Sequence, residues 1–139
     1  MISRILSLSG LLIFLLSACK NEPKTPSSTD PQVDPELAAL NNLIEKSPDN
    51  DSLLYRRAEV YYKLEGYDEA IRDLDRAIQL DSLRPAYYHL LADAFLDYGR
   101  PNDSKRALDV LLTAAARFPD RISTLLKLSE FQLIVRQHS

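Results

Sequence analysis

Apolar residues fall into three regimes along the chain. Residues 5–16 form a mostly apolar run behind a single positive charge, Arg4. Residues 20–35 are polar and proline-rich, with Val33 as their one aliphatic side chain. From Glu36 onward, apolar residues recur at helical spacing. Leu37, Leu40, Leu43 and Ile44 share one face, and Asp34-Pro35 supplies a cap and a first-turn proline. This predicts a helix ending near Ser47-Pro48-Asp49-Asn50. Leu53, Leu54, Ala58, Tyr61, Tyr62 and Leu64 predict a second helix, stopped by Gly66. Asp68 and Glu69 open a third, where the helix dipole favours anions. Its apolar face is Ala70, Ile71, Leu74, Ala77, Ile78 and Leu80. No period-2 alternation is sustained anywhere, so the expectation is all-α with no sheet.

Composition sharpens this picture. Three glycines in 139 residues is far below the usual ~7% and argues against glycine-turned β folds. Gly10, Gly66 and Gly99 cannot form a glycine-rich phosphate loop. One cysteine excludes an internal disulfide framework, and two histidines make a histidine-based metal cluster improbable. A formal charge of −3 gives nucleic-acid binding no electrostatic support.

The helical region repeats itself. Leu54, Ala58 and Tyr61 lie 34 residues before Tyr88, Ala92 and Phe95, as Pro85 does before Pro119. Gly66 and Gly99 fall at nearly the same offset and are expected to serve the turn inside each unit. Small residues, Ala58 against Ala70 and Ala77, let two helices cross closely, with Tyr61 and Leu74 filling the space beside them. This pattern resembles the tetratricopeptide repeat (TPR), a 34-residue helix–turn–helix unit. Arg57 departs from it where leucine is usual, and Ser82 where proline is usual. In the second unit Ala107, Leu111, Ala114 and Pro119 match after a three-residue insertion placed in the turn Gly99–Ser104.

The resemblance implies a short right-handed solenoid of antiparallel helix pairs. Residues 35–50 would be an N-terminal capping helix, 51–84 the first repeat, and 85–121 the second. Residues 122–139 would be the first helix of an incomplete third repeat, with Leu125, Leu128, Ser129 and Leu133 following the pattern. Such a helix leaves Leu126, Phe131 and Ile134 poorly covered, as expected for a truncated repeat array or a partner-covered face.

The amino-terminal run is too short to span a bilayer and has the layout of a signal peptide. It ends in Leu16-Ser17-Ala18-Cys19, which resembles the lipobox of bacterial lipoproteins. That resemblance implies a signal peptide over 1–18, lipidation of Cys19 with fatty acylation such as palmitate, and a disordered linker over 19–34. With Lys20 rather than aspartate after the cysteine, it implies the outer membrane. Two lipid signals anchor stably where one chain is marginal.

No nucleophile elbow or paired acid and base emerges, and the expectation is a non-enzyme without cofactor or metal. His89 and Asp93 read as a surface pair one helical turn apart. Asp68, Glu69, Asp73 and Asp75 read as a solvated face with Arg72 and Arg76. In the TPR scheme the first helices line a concave groove. Carried over by position, its candidate residues are Tyr55, Glu59 and Tyr62 in the first unit. The second unit offers His89, Asp93 and Leu96, and the last helix Leu126 and Glu130. Glu59, Asp93 and Glu130 would stack as an acidic ladder, suited to an apolar segment carrying basic residues. The groove lacks the Lys/Asn/Arg set that clamps a peptide carboxylate. The reading is a lipid-anchored TPR scaffold for an unidentified envelope protein or peptide. The alternative is a structural repeat fragment with no binding activity of its own.

Overall fold

The computed structural model describes residues 34–137. The expected signal peptide, Cys19 and all but the end of the linker lie outside them. Among the described residues there are six helices and no strand: α1 (Pro35–Lys46), α2 (Asp51–Lys63), α3 (Tyr67–Leu80), α4 (Pro85–Tyr98), α5 (Asp103–Arg117) and α6 (Ile122–Gln137). Each helix packs chiefly on the next in sequence, and α2, α4 and α6 also touch one another in a row. This is the antiparallel repeat solenoid expected from the sequence, with α2, α4 and α6 forming one layer and α3 and α5 the other.

Local chemistry explains where the helices start. Asp34 accepts hydrogen bonds from the Glu36 and Leu37 N–H groups at 2.8 and 3.3 Å, with Pro35 at the first helical position. Asn50 does the same for Leu53 at 3.1 Å. Gly99 ends α4 at φ +66° in the left-handed region, where a side chain is strained. Gly66 has a different role from the one expected. Glu65 takes the left-handed position at φ 60°, while Gly66 has φ −77°. A Cβ at Gly66 would meet the Tyr61 ring at 3.3 Å. Close approach, not torsional freedom, is what glycine supplies there.

The core lies between the two layers. Ala58, Ala70 and Ala77 in the first pair, and Ala92, Ala107 and Ala114 in the second, are completely buried. Leu54, Leu74, Leu91, Phe95 and Leu111 fill the space around them. The insertion falls between Gly99 and Ala107 and is organised around Asp103, which is buried. Its carboxylate accepts from the Arg100 backbone and side chain and from Arg106 at 3.0–3.2 Å. Burial opposes the charge, but these bonds win and hold the carboxyl below the usual aspartate range.

Two sequence expectations are corrected here. Asp73 is not on a solvated face. It is buried and receives a bidentate pair from Arg57, both bonds at 2.7 Å. The third guanidinium nitrogen of Arg57 donates to Asn41 at 2.8 Å, so one side chain joins α1, α2 and α3. Arg57 stands where leucine is usual because its charge has a built partner. Phe131, expected to be poorly covered, is only 3% exposed. The inward stripe of α6 is Thr124 and Phe131, both buried, with Leu128 partly buried between them. The stripe corresponding to Tyr88, Ala92 and Phe95 of α4 is Leu125, Ser129 and Gln132. These three are exposed, because no helix covers them among the described residues.

Removing one partner of the Arg57–Asp73 pair leaves an uncompensated, largely buried charge. Asp73→Ala is expected to lower unfolding free energy by about 2–4 kcal/mol in denaturant melts. The double variant Arg57→Leu/Asp73→Leu should recover most of that loss. A double variant as unstable as Asp73→Ala would show that the pair is not the cause.

Candidate functional site

The α2–α4–α6 layer presents an open groove. Because these helices run parallel, their N-termini share one edge of it and their C-termini the other. Two clefts mark the two edges. The first, about 560 Å³, lies at the N-terminal ends and is bordered by Ser52, Tyr55, Arg84, His89, Arg121 and Ser123. The second, about 250 Å³, lies towards the C-terminal ends and is bordered by Tyr62, Asp93, Leu96, Asp97, Lys127 and Glu130. Leu111, Phe131 and Ile134 complete its apolar wall.

Polar ties between neighbouring helices hold this layer. Between α2 and α4, Tyr55 stacks on Tyr87 with centroids 4.8 Å apart. The Tyr87 hydroxyl donates to Asp51 at 2.5 Å, and the Tyr62 hydroxyl donates to Asp97. Between α4 and α6, His89 Nε2 meets the Thr124 hydroxyl at 3.0 Å, and Lys127 pairs with Asp93 at 2.7 Å. Thr124 is completely buried, so its hydroxyl needs this partner. A tyrosine chain, Tyr62 to Tyr67 to Tyr98, closes the far edge. The Tyr98 hydroxyl donates to Asp68 at 2.6 Å.

These surroundings shift the titrations. Burial, then hydrogen bonding to Glu59, pushes the Tyr55 hydroxyl up to about 12. Burial, then the bond to Asp97, raises Tyr62 further. Burial raises Asp93 against the pull of Lys127. Burial, then the Lys127 charge, lowers the His89 imidazole against the pull of Asp93.

The sequence-predicted residues divide between the two clefts. Tyr55 and His89 border the first; Tyr62, Asp93, Leu96 and Glu130 border the second. Glu59 lies against Tyr55, outside both linings. Leu126 is 63% exposed and lines neither. His89 and Asp93 are not the simple surface pair expected from their spacing, because α6 supplies Thr124 and Lys127 as their bonding partners. The acidic ladder is broken at its middle rung for the same reason. The sequence reading also missed the cationic edge. Arg84 and Arg121 stand 37 residues apart, each just before the first residue of a groove helix. The same offset relates Ala92 to Ser129, so extending the repeat comparison into the loops would have found both arginines.

No protein-family model matches the chain. Several solved structures share its fold. The TPR2B domain of yeast Sti1, solved in a complex with pHsp70, has TM-score 0.64 and 22% identity, covering 74% of this chain and 82% of that one. The second TPR domain of human RPAP3, solved with an HSP70 peptide, has TM-score 0.60 and 23% identity, covering 69% and 78%. MamA has TM-score 0.62 and 20% identity, covering 73% and 58%. The fold is therefore that of TPR domains.

The His89 tie sets a pH dependence. The imidazole is held below its ordinary value of 6.5 in the fold. The unfolded chain therefore takes up the proton first as pH falls. This contribution to stability is complete above about pH 6.5 and is lost as pH drops towards the folded value. Thermal melts at pH 7.5 and 5.5 should show a larger acid-induced loss for the wild type than for His89→Gln. Equal losses would remove His89 from this account.

Proposed function

We propose that this protein is a lipid-anchored scaffold that holds a protein or peptide partner in the bacterial cell envelope, at the outer membrane. The observation that carries the binding half is the open groove on α2, α4 and α6. Its aromatic and ionisable side chains are fixed by interhelical bonds, so it is preorganised, and a partner pays little ordering cost on the protein side. The fold neighbours from yeast Sti1 and human RPAP3 were solved with pHsp70 and an HSP70 peptide, which supports reading this groove as a peptide surface. The groove's ionisable residues are committed to structural ties or exposed at its rims. No group of three or more His, Cys, Asp and Glu among the described residues could hold a metal ion. Recruitment rather than catalysis is the function this arrangement suits.

The anchoring half rests on Leu16-Ser17-Ala18-Cys19 at the end of an apolar run. No described helix is long and apolar enough to cross a membrane, and in this reading lipid on Cys19 provides the attachment. The proline-rich segment up to Pro35 sets the reach of the groove from the bilayer.

Each half has its own test. Expressed in a bacterial host with labelled palmitate, the chain should incorporate label and sediment with membranes, and Cys19→Ala should do neither. Retained labelling and sedimentation in Cys19→Ala would overturn the anchor. For the groove, a photo-crosslinking residue at Glu130 should give a discrete adduct in cells. The same residue at Lys105, an exposed position on α5, should not. No adduct from position 130, or equal adducts from both, would overturn the groove reading.

A further inference from the structure

We propose that the groove is electrically bipolar and receives an extended peptide segment of mixed charge. An acidic residue would seat at the Arg84–Arg121 edge and a basic residue at the Asp97–Glu130 edge. This deepens the groove reading above and rests on it.

The side chains that line the two clefts carry opposite formal charge. Arg84 and Arg121 border the first, and no carboxylate does. Asp81 engages Arg84 through Nε alone, at 2.9 Å, leaving both terminal nitrogens without a bond among the described residues. Arg121 is exposed, and its side chain makes no bond among them. Asp93, Asp97 and Glu130 border the second cleft against one cation, Lys127. Lys127 is committed to Asp93. Asp97 receives only the Tyr62 hydroxyl, and Glu130 has no ion pair among the described residues. A net negative charge remains there.

The helix dipoles reinforce this difference. α4 starts at the first cleft with no side-chain cap on its N–H groups, so the positive end of its dipole adds to the arginines. The C-terminal ends of α2 and α4 lie towards the second cleft and add negative potential. Tyr55 at the first cleft and Leu96 at the second offer apolar surface for a side chain of the segment. A wholly basic ligand would leave one edge repelled, and a wholly acidic one the other. Only mixed charge complements both edges.

The spacing is fixed by α4, which spans both clefts. His89 and Leu96 are seven residues apart, about 10 Å at 1.5 Å per residue. The cleft centres are therefore roughly 10–15 Å apart, which an extended peptide covers in about three to five residues.

The test is selection of a random dodecapeptide display library on the immobilised full chain. Enriched peptides should pair an acidic with a basic residue three to five positions apart, with an apolar residue between. Arg121→Glu and Glu130→Lys change exposed side chains that make no hydrogen bond or ion pair among the described residues. Arg121→Glu should weaken an enriched peptide at least tenfold and abolish the acidic preference. Glu130→Lys should do the same for the basic preference. Enriched peptides without the charge pair, or unaffected by both reversals, would overturn the bipolar proposal while leaving a binding groove. No enrichment at all would overturn the groove reading and this proposal together.

Discussion

The structure depends on alanines that let adjacent helices touch. Ala58, Ala70, Ala77, Ala92, Ala107 and Ala114 have no exposed surface, and they recur at matched positions in the two complete helix pairs. A larger side chain at a close crossing would push two axes apart and open voids beside Leu74 and Leu111. Because each pair crosses in the same way, α2, α4 and α6 are laid side by side and parallel. The groove is a consequence of that repeated crossing and not a separately built pocket. It also follows that like ends of three helices meet at each edge, which makes a charge difference between the edges possible.

Polar groups complete what the alanines begin. Arg57 spans α1, α2 and α3 through Asp73 and Asn41, and Asp103 organises the longer turn of the second unit. On the groove side, Tyr87–Asp51, His89–Thr124 and Asp93–Lys127 hold neighbouring helices in register. Burying such groups is tolerable only because each has a partner. No buried side-chain nitrogen or oxygen among the described residues lacks one. The groove's walls are thus rigid, while Arg121 and Glu130 at its rims keep charges uncommitted.

Specific residues mark how far the sequence was legible. The 34-residue recurrence of Leu54, Ala58 and Tyr61 as Tyr88, Ala92 and Phe95 revealed the helix pairs, with small residues marking the close crossings. Position alone placed Tyr55, Tyr62, His89, Asp93 and Leu96 beside the two clefts, though not Tyr87. What could not be read was which charges would find one another. Asp73 looked like one of several solvated carboxylates until α2 brought Arg57 to it. Asp93 looked like a rung of an acidic ladder until α6 brought Lys127. On α6 itself, seven of sixteen positions are Leu, Ile or Val, so its composition could not say which stripe was buried. Phe131 was misplaced for that reason.

The chain by itself determined the class of its local elements and their repeat. It also carries Leu16-Ser17-Ala18-Cys19, a linear motif of adjacent residues on which the proposed anchor rests. Helical period, capping residues and small-residue spacing are all local, and local interactions are encoded in sequence order. Tertiary structure decided the pairing of charges 16 and 34 residues apart, the face of α6 that is buried, and the opposite signs of the groove's two edges. Those depend on how three helices are rotated about their axes when they pack. That rotation is set by the sum of many small contacts across the core, and no single motif records it.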